Sequence, residues 1–215
     1  MKNQRNKPPI HYAVGEDIGN AVTHGIGAAL AVAGLVLLIV KSIDAWQVVS
    51  SCIYGSSLFI LFLMSCLYHA IRHKGARRVM RVFDHTGIFF LIAGTYTPYT
   101  LVSMRGVVGW VLFGVVWAAA IVGIVLNSIS IERFKTFSMI CYIASGWCVV
   151  AAIVPLIQAV PTEGLLLLLG GGVLYTVGIL FYRQKTKRWF HMVWHLFVLA
   201  AAVLQFFGIY LYVIG

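Results

Sequence analysis

The last apolar run of the chain, WFHMVWHLFVLAAAVLQFFGIYLY, carries two histidines, His191 and His195. They stand one helical turn apart, so a helix presents both imidazoles on one face, where two ring nitrogens can hold one ion. A third histidine from another helix completes the three-ligand set of catalytic zinc, with the fourth position open to water. His69, in MSCLYHA, is the candidate third ligand. Zinc lowers the pKa of a water from about 16 to about 7. A carboxylate is then needed to orient that water and carry its proton. Asp84, in FDHTG, is the predicted carboxylate. Ser65, four residues before His69, can hydrogen-bond a ligand, the water or a reacting carbonyl. No glutamate lies between the paired histidines, so this is not the HExxH pattern, and the base must come from another helix.

These residues need long apolar helices to hold them. Of 215 residues, 61% are hydrophobic and 10% charged, against about 25% charged in a soluble domain. Mean hydropathy is +0.93. A net charge of +10 could suggest nucleic acid, but the basic residues cluster between apolar runs, which points to a membrane and away from a nucleic-acid partner. A bilayer core about 30 Å thick needs roughly 20 apolar residues per helix. Seven runs qualify: 18–40, 47–70, 83–103, 107–127, 136–157, 163–183 and 189–213. The predicted architecture is therefore all-α, a single seven-helix transmembrane domain over residues 16–215 behind a polar tail, 1–15. With short gaps and no internal repeat, no soluble domain fits. The tail is followed by a run too long for a signal peptide and lacking a cleavage pattern.

Basic residues set the orientation. The tail, the second, fourth and sixth loops hold fourteen Lys and Arg residues, against Lys41 and Arg105 on the other side. The positive-inside rule then predicts a cytoplasmic N-terminus and an external C-terminus for a multi-pass protein of a cell membrane. Depth follows from orientation. Glu16, Asn20, Thr23 and His24 share one face in the first turns of span one. Ser65 and His69 end span two at the same side, Asp84 begins span three there, and His191 and His195 begin span seven. All lie within roughly 10 Å of the inner boundary. Ionisable residues within a span are costly and mark function. The opposite halves read as dry, as in LVLLIV (35–40) and VLYTVGIL (173–180).

Other polar features have plainer readings. Glu16 suits support of the site or contact with substrate; Asn20, Thr23 and His24 suit that as well as interhelical hydrogen bonding, and His24 could be a fourth ligand. His85 is rotated about 100° from Asp84 on a helix, and His73 and His11 lie in loops. Cys52, Cys66, Cys141 and Cys148 fall in apolar spans, suited to packing, with Cys66 near His69. Pro98, in GTYTPYT, predicts a kink. That kink either shapes a cavity above the metal or serves helix packing. The glycines at 170–172 permit close helix approach.

In combination, Glu16, Asn20, Thr23 and His24 of GEDIGNAVTHG, Ser65 with His69, Asp84, and the His191–His195 pair resemble the motifs of the hemolysin III family. That family lies within the wider progestin and adiponectin receptor family. The resemblance spans nearly the whole chain, including FDHTGIFFLIAGTYTP. It implies seven helices with a cytoplasmic N-terminus. It also implies zinc held by His69, His191 and His195, with a water bridged to Asp84. Similarity to alkaline ceramidases through the same pattern implies hydrolysis of a lipid amide. The family name implies membrane lysis, and the receptor relatives imply ligand sensing. The leading expectation is a zinc-dependent hydrolase of a lipid amide or ester at the cytoplasmic leaflet, with membrane lipids as environment and substrate. The alternatives are a sensor or membrane-homeostasis protein with structural zinc, and a cytolysin. A conducting pore needs a polar lining along its length, which these spans lack.

Overall fold

On the first helix the polarity of a soluble protein is inverted. Ile18, Val22, Ile26 and Leu30, one turn apart, are more than half exposed, while Glu16, Asn20 and His24 on the opposite face are buried. An apolar exterior around a polar interior is the pattern of a helix facing lipid. The structure, a computed structural model, describes residues 13–184 and 186–215. Residues 1–12 of the expected tail, with Lys2, Arg5, Lys7 and His11, lie outside the described residues, as does Lys185.

Helix α1, Val14–Lys41, starts where Glu16 accepts a hydrogen bond from the Ala13 amide, and stops where the Ser42 hydroxyl donates to the Leu38 carbonyl. Helix α2, Ala45–Ala70, is N-capped by Asp44, which accepts from Gln47 N at 2.8 Å. Such a cap stabilises by about 1 kcal/mol. His73 caps α3, Lys74–Pro98, accepting from Ala76 N at 3.3 Å. At Pro98 the missing amide donor coincides with a change of winding, and Tyr99–Ser103 form a π-helical turn. Helix α4, Val107–Gly146, is two helical stretches joined at a kink at Ser130 (φ −166°, ψ 107°), which lies in the expected gap between spans four and five. A 3₁₀ segment, Cys148–Ala152, and α5, Ile153–Ala159, continue it. Helices α6, Thr162–Tyr182, and α7, Phe190–Tyr212, complete an all-helical chain.

Among the described residues, five stretches are long and apolar enough to cross a membrane: α1, α2, residues 107–159, α6 and α7. The protein is a multi-pass membrane protein. Sequential helices α1 to α4 pack pairwise, α6 packs on α7, and α7 returns onto α1. That last contact brings the two ends of the described chain together and so unites the polar residues of α1 with those of α7.

One expectation needs correction. The half of the bundle remote from the histidines is not uniformly dry, because Ser50, Tyr54, Ser57, Tyr99 and Gln205 are buried there. The stretch VLYTVGIL includes Tyr175, whose hydroxyl is also buried. A tyrosine reads as apolar in a hydropathy count, although its hydroxyl needs a partner as any other does.

Candidate metal centre

The start of α7 is pinned to α1. Trp189 adopts φ 68°, the one non-glycine residue with positive φ among the described residues. A left-handed residue of this kind costs roughly 1–2 kcal/mol and persists where its surroundings over-determine it. Here the Glu16 carboxylate accepts the Trp189 amide hydrogen, and the indole lies against Gly15 and Gly19, where a Cβ would come within 3.5–3.6 Å of the ring. Glu16 holds the turn from which the paired histidines project, and so supports them from behind. One turn into α7, Nε2 of His191 and Nε2 of His195 are 3.2 Å apart.

His69 arrives from the last turn of α2 and is buried. Its Nδ1 is 2.9 Å from Asp17 Oδ1 and 3.4 Å from the Asn20 side-chain amide. Both oxygens of Asp17 also accept from Nη2 of Arg77, at 2.8 and 2.9 Å. A carboxylate on one ring nitrogen fixes the tautomer and turns the other nitrogen into a ligand, the arrangement that supports histidine–metal bonds. Sequence reasoning missed both partners. Asp17 lies beside, not on, the Glu16–Asn20–His24 face, and Arg77 is one of the fourteen basic residues whose pattern signals orientation alone.

The residues fit a zinc ion. One nitrogen from each of His69, His191 and His195 lies within 4.8 Å of the others. Two nitrogens bound at about 2.0–2.1 Å to a tetrahedral ion stand about 3.3 Å apart, close to the His191–His195 spacing. Neutral imidazole nitrogens are apt zinc donors. His24 stacks on His195 with ring centroids 3.7 Å apart, and meets Phe62 edge-on. It therefore braces His195 and stands outside the three-histidine group. Thr23 turns back on its own helix, donating to the carbonyls of Gly19 and Asn20. Cys66 packs against Gly25 and is likewise outside the group. All four cysteines are free thiols.

Asp84, Ser65, His191 and His195 line one end of a cavity of about 160 Å³, most of whose other walls are apolar side chains. Ser65 is fully buried and lies beside the Asp84 carboxylate. His85, which the helical wheel set aside, has Nδ1 3.2 Å from Asp84 Oδ2. The main-chain carbonyl of His85 accepts from the Tyr142 hydroxyl, to which Asn127 donates in turn, and Ser138 donates to Asn127 Oδ1. This network straddles the break at Ser130 and fixes the far half of α4 as a wall of the cavity. Tyr96, from GTYTPYT, fixes the next break. Its hydroxyl donates to the Gly146 carbonyl at 2.8 Å and accepts from Val149 N at 3.0 Å. Thr95 bonds the Leu91 carbonyl on its own helix while also lining the cavity.

Comparison with known proteins adds a family. A profile described as "Haemolysin-III related" matches residues 12–206. The chain is 42% identical over 204 residues to "Hemolysin-3" of Bacillus cereus, covering 94% of this chain and 93% of the relative. It is 39% identical over 204 residues to "Hemolysin-3 homolog" of Bacillus subtilis (strain 168), covering 94% and 96%. Similarity extends to "Monocyte to macrophage differentiation factor" of Homo sapiens, 29% identical over 216 residues, with 98% and 88% covered.

Proposed function

The chain belongs to the haemolysin-III related family, and from that premise we propose that it is a zinc-dependent hydrolase cleaving a lipid amide or ester at the cytoplasmic leaflet. The observation that carries this reading is the meeting of three histidines with Asp84 and Ser65 at one end of a largely apolar cavity. An acyl chain suits the apolar walls, and a polar linkage suits the histidine end. In this reading residues 16–215 form one seven-helix domain with the N-terminus in the cytoplasm of a bacterial cell. The fourteen-to-two asymmetry of Lys and Arg supports that orientation.

His69, His191 and His195 would hold the zinc. Bound there, zinc supplies a Lewis acid for a carbonyl and lowers the pKa of a water to near neutrality. Asp17 and Arg77 orient the His69 ring, and Glu16 holds the turn before His191. Asp84 accepts a proton from the attacking water and returns it to the departing amine or alcohol, acting first as base and then as acid. Ser65 donates a hydrogen bond to the carbonyl oxygen as charge develops on it. His85 holds Asp84 in place, and the apolar walls exclude bulk water from the reacting groups.

A second reading draws on the names of the bacterial relatives, which would make this chain a cytolysin. The apolar middle of the cavity argues against a conducting path, and lysis through altered lipid composition accords better with it. In a third reading the zinc is structural and the protein is a sensor or a membrane-homeostasis factor. Lipid analysis of membranes containing wild-type or Asp84→Asn protein separates these. Hydrolysis predicts a product lipid that accumulates with the wild type alone, whereas identical lipid profiles would leave the zinc structural.

A further inference from the structure

Gln205 is the one polar side chain between His195 and Ile209, and it is buried. Ten residues beyond His195, it lies about 15 Å further along α7. It lines the same cavity as the histidines, together with Tyr175 of α6. Beyond Tyr175 stand two more phenols. Tyr54 of α2 is 0% exposed and Tyr99 of the π-helical turn 1%. The Tyr54 hydroxyl lies within electrostatic reach of both Tyr99 and Tyr175. Tyr99 sits over Gly208 of α7, where a Cβ would come within 3.1 Å of its hydroxyl oxygen. Hydroxyls from three separate elements thus converge beside the Gln205 helix.

None of the three hydroxyls has a hydrogen-bond partner among the described residues. A buried phenol left unpaired is destabilising, and three in one place call for a shared partner. A phenol can donate and accept, and so can a primary amide. None of the four groups carries a charge, so the chemistry selects a neutral hydrogen-bonding group over an ion. We propose that Tyr54, Tyr99, Tyr175 and Gln205 form a second buried site, remote from the histidines, that binds a neutral hydroxyl group. That group is either an ordered water cluster or the hydroxyl of an amphiphile lying in the cavity with Tyr175 at its end. The site does not depend on the hydrolase reading, because none of its four residues belongs to the histidine centre.

The test uses Tyr54→Phe, Tyr99→Phe and Tyr175→Phe in the purified full chain, with retained helical circular dichroism as the check that each has folded. A bound hydroxyl group predicts that each substitution lowers Tm by about 2–4 °C, the shift expected from one lost hydrogen bond in a chain of this size. Unpartnered phenols predict an unchanged or raised Tm, which would overturn the proposal. Stearate and a hydroxystearate with its hydroxyl at mid-chain distinguish the two sources. A larger Tm rise with hydroxystearate, lost in Tyr175→Phe, identifies an amphiphile; equal rises alongside the Tm losses identify water. Should the variants not fold, a high-resolution experimental structure of the unaltered protein decides. Density bridging the three hydroxyls supports the site, and its absence overturns it.

Discussion

Asp17 of α1 clamps His69 of α2, its Oδ1 lying 2.9 Å from the ring Nδ1 while both carboxylate oxygens accept from Arg77 of α3. Three helices are thereby locked behind one proposed ligand. Replacing Asp17 with Asn leaves the shape but removes the charge that fixes the ring. Zinc affinity is expected to fall about 10–100-fold, measured by competition with a chelator. Arg77→Met should produce a smaller fall, since Asp17 still reaches His69. Unchanged affinity in Asp17→Asn would show that the clamp does not act on the metal.

Glu16 acts at the other ligands. Its carboxylate holds the amide of Trp189, where the backbone is in the left-handed region. Glu16→Ala should cost about 1–3 kcal/mol through the orphaned amide and should also weaken zinc binding by releasing the start of α7. Glu16→Gln keeps an acceptor and should restore most of both. Thermal unfolding and chelator competition on the two variants check this, and a Gln variant as poor as Ala would point to charge instead of the hydrogen bond.

Much of the centre was legible in the sequence, and the reasons are physical. Histidines four apart can only share a helix face, and a histidine at the polar end of an apolar span has few other uses. Asp17 was not legible because the 3.6-residue period directs attention to Glu16, Asn20 and His24 as one face. The crossing of α1 and α2 decides instead which flanking residue meets His69. In the sequence Arg77 is one basic residue of a charged loop, yet it is 6% exposed and paired. The break at Ser130 falls in the expected gap between spans four and five, but the break after Gly146, inside the expected span 136–157, was invisible to hydropathy, which records polarity and carries nothing about backbone angles. Tyr54, Tyr99 and Tyr175 escaped for a similar reason, since an aromatic ring hides the hydroxyl it carries.

Tyr96 tests the second break. Its single hydroxyl serves the Gly146 carbonyl and the Val149 amide, so Tyr96→Phe leaves two backbone groups without that partner. A loss of about 1–3 kcal/mol is expected, read as a lower Tm in detergent. Tyr212→Phe, which disturbs no such bridge, should stay within about 0.5 kcal/mol of wild type. Equal Tm values for the two would mean that the 3₁₀ segment does not rely on the phenol.

Two glycines of α4 make a matched pair. A Cβ at Gly109 would overlap the carbonyl oxygens of Thr100 and Met104, whereas nothing lies within 4 Å of the corresponding position at Gly114. Gly109→Ala should destabilise by about 1–3 kcal/mol through overpacking against backbone. Gly114→Ala should be neutral or stabilising by up to about 1 kcal/mol, through helix propensity. Comparative thermal unfolding reads the difference, and similar values for the pair would contradict the close approach of α4 to the π-helical turn.

The central claim is that His69, His191 and His195 hold one metal ion, and elemental analysis of purified protein tests it most directly. Wild type should contain about one zinc per chain, the stoichiometry of a three-histidine site. The His191→Ala, His195→Ala double variant, shown to be folded by its helical circular dichroism, should contain essentially none. Zinc retained in the double variant at the wild-type level would contradict the assignment and, with it, the hydrolase reading built upon it.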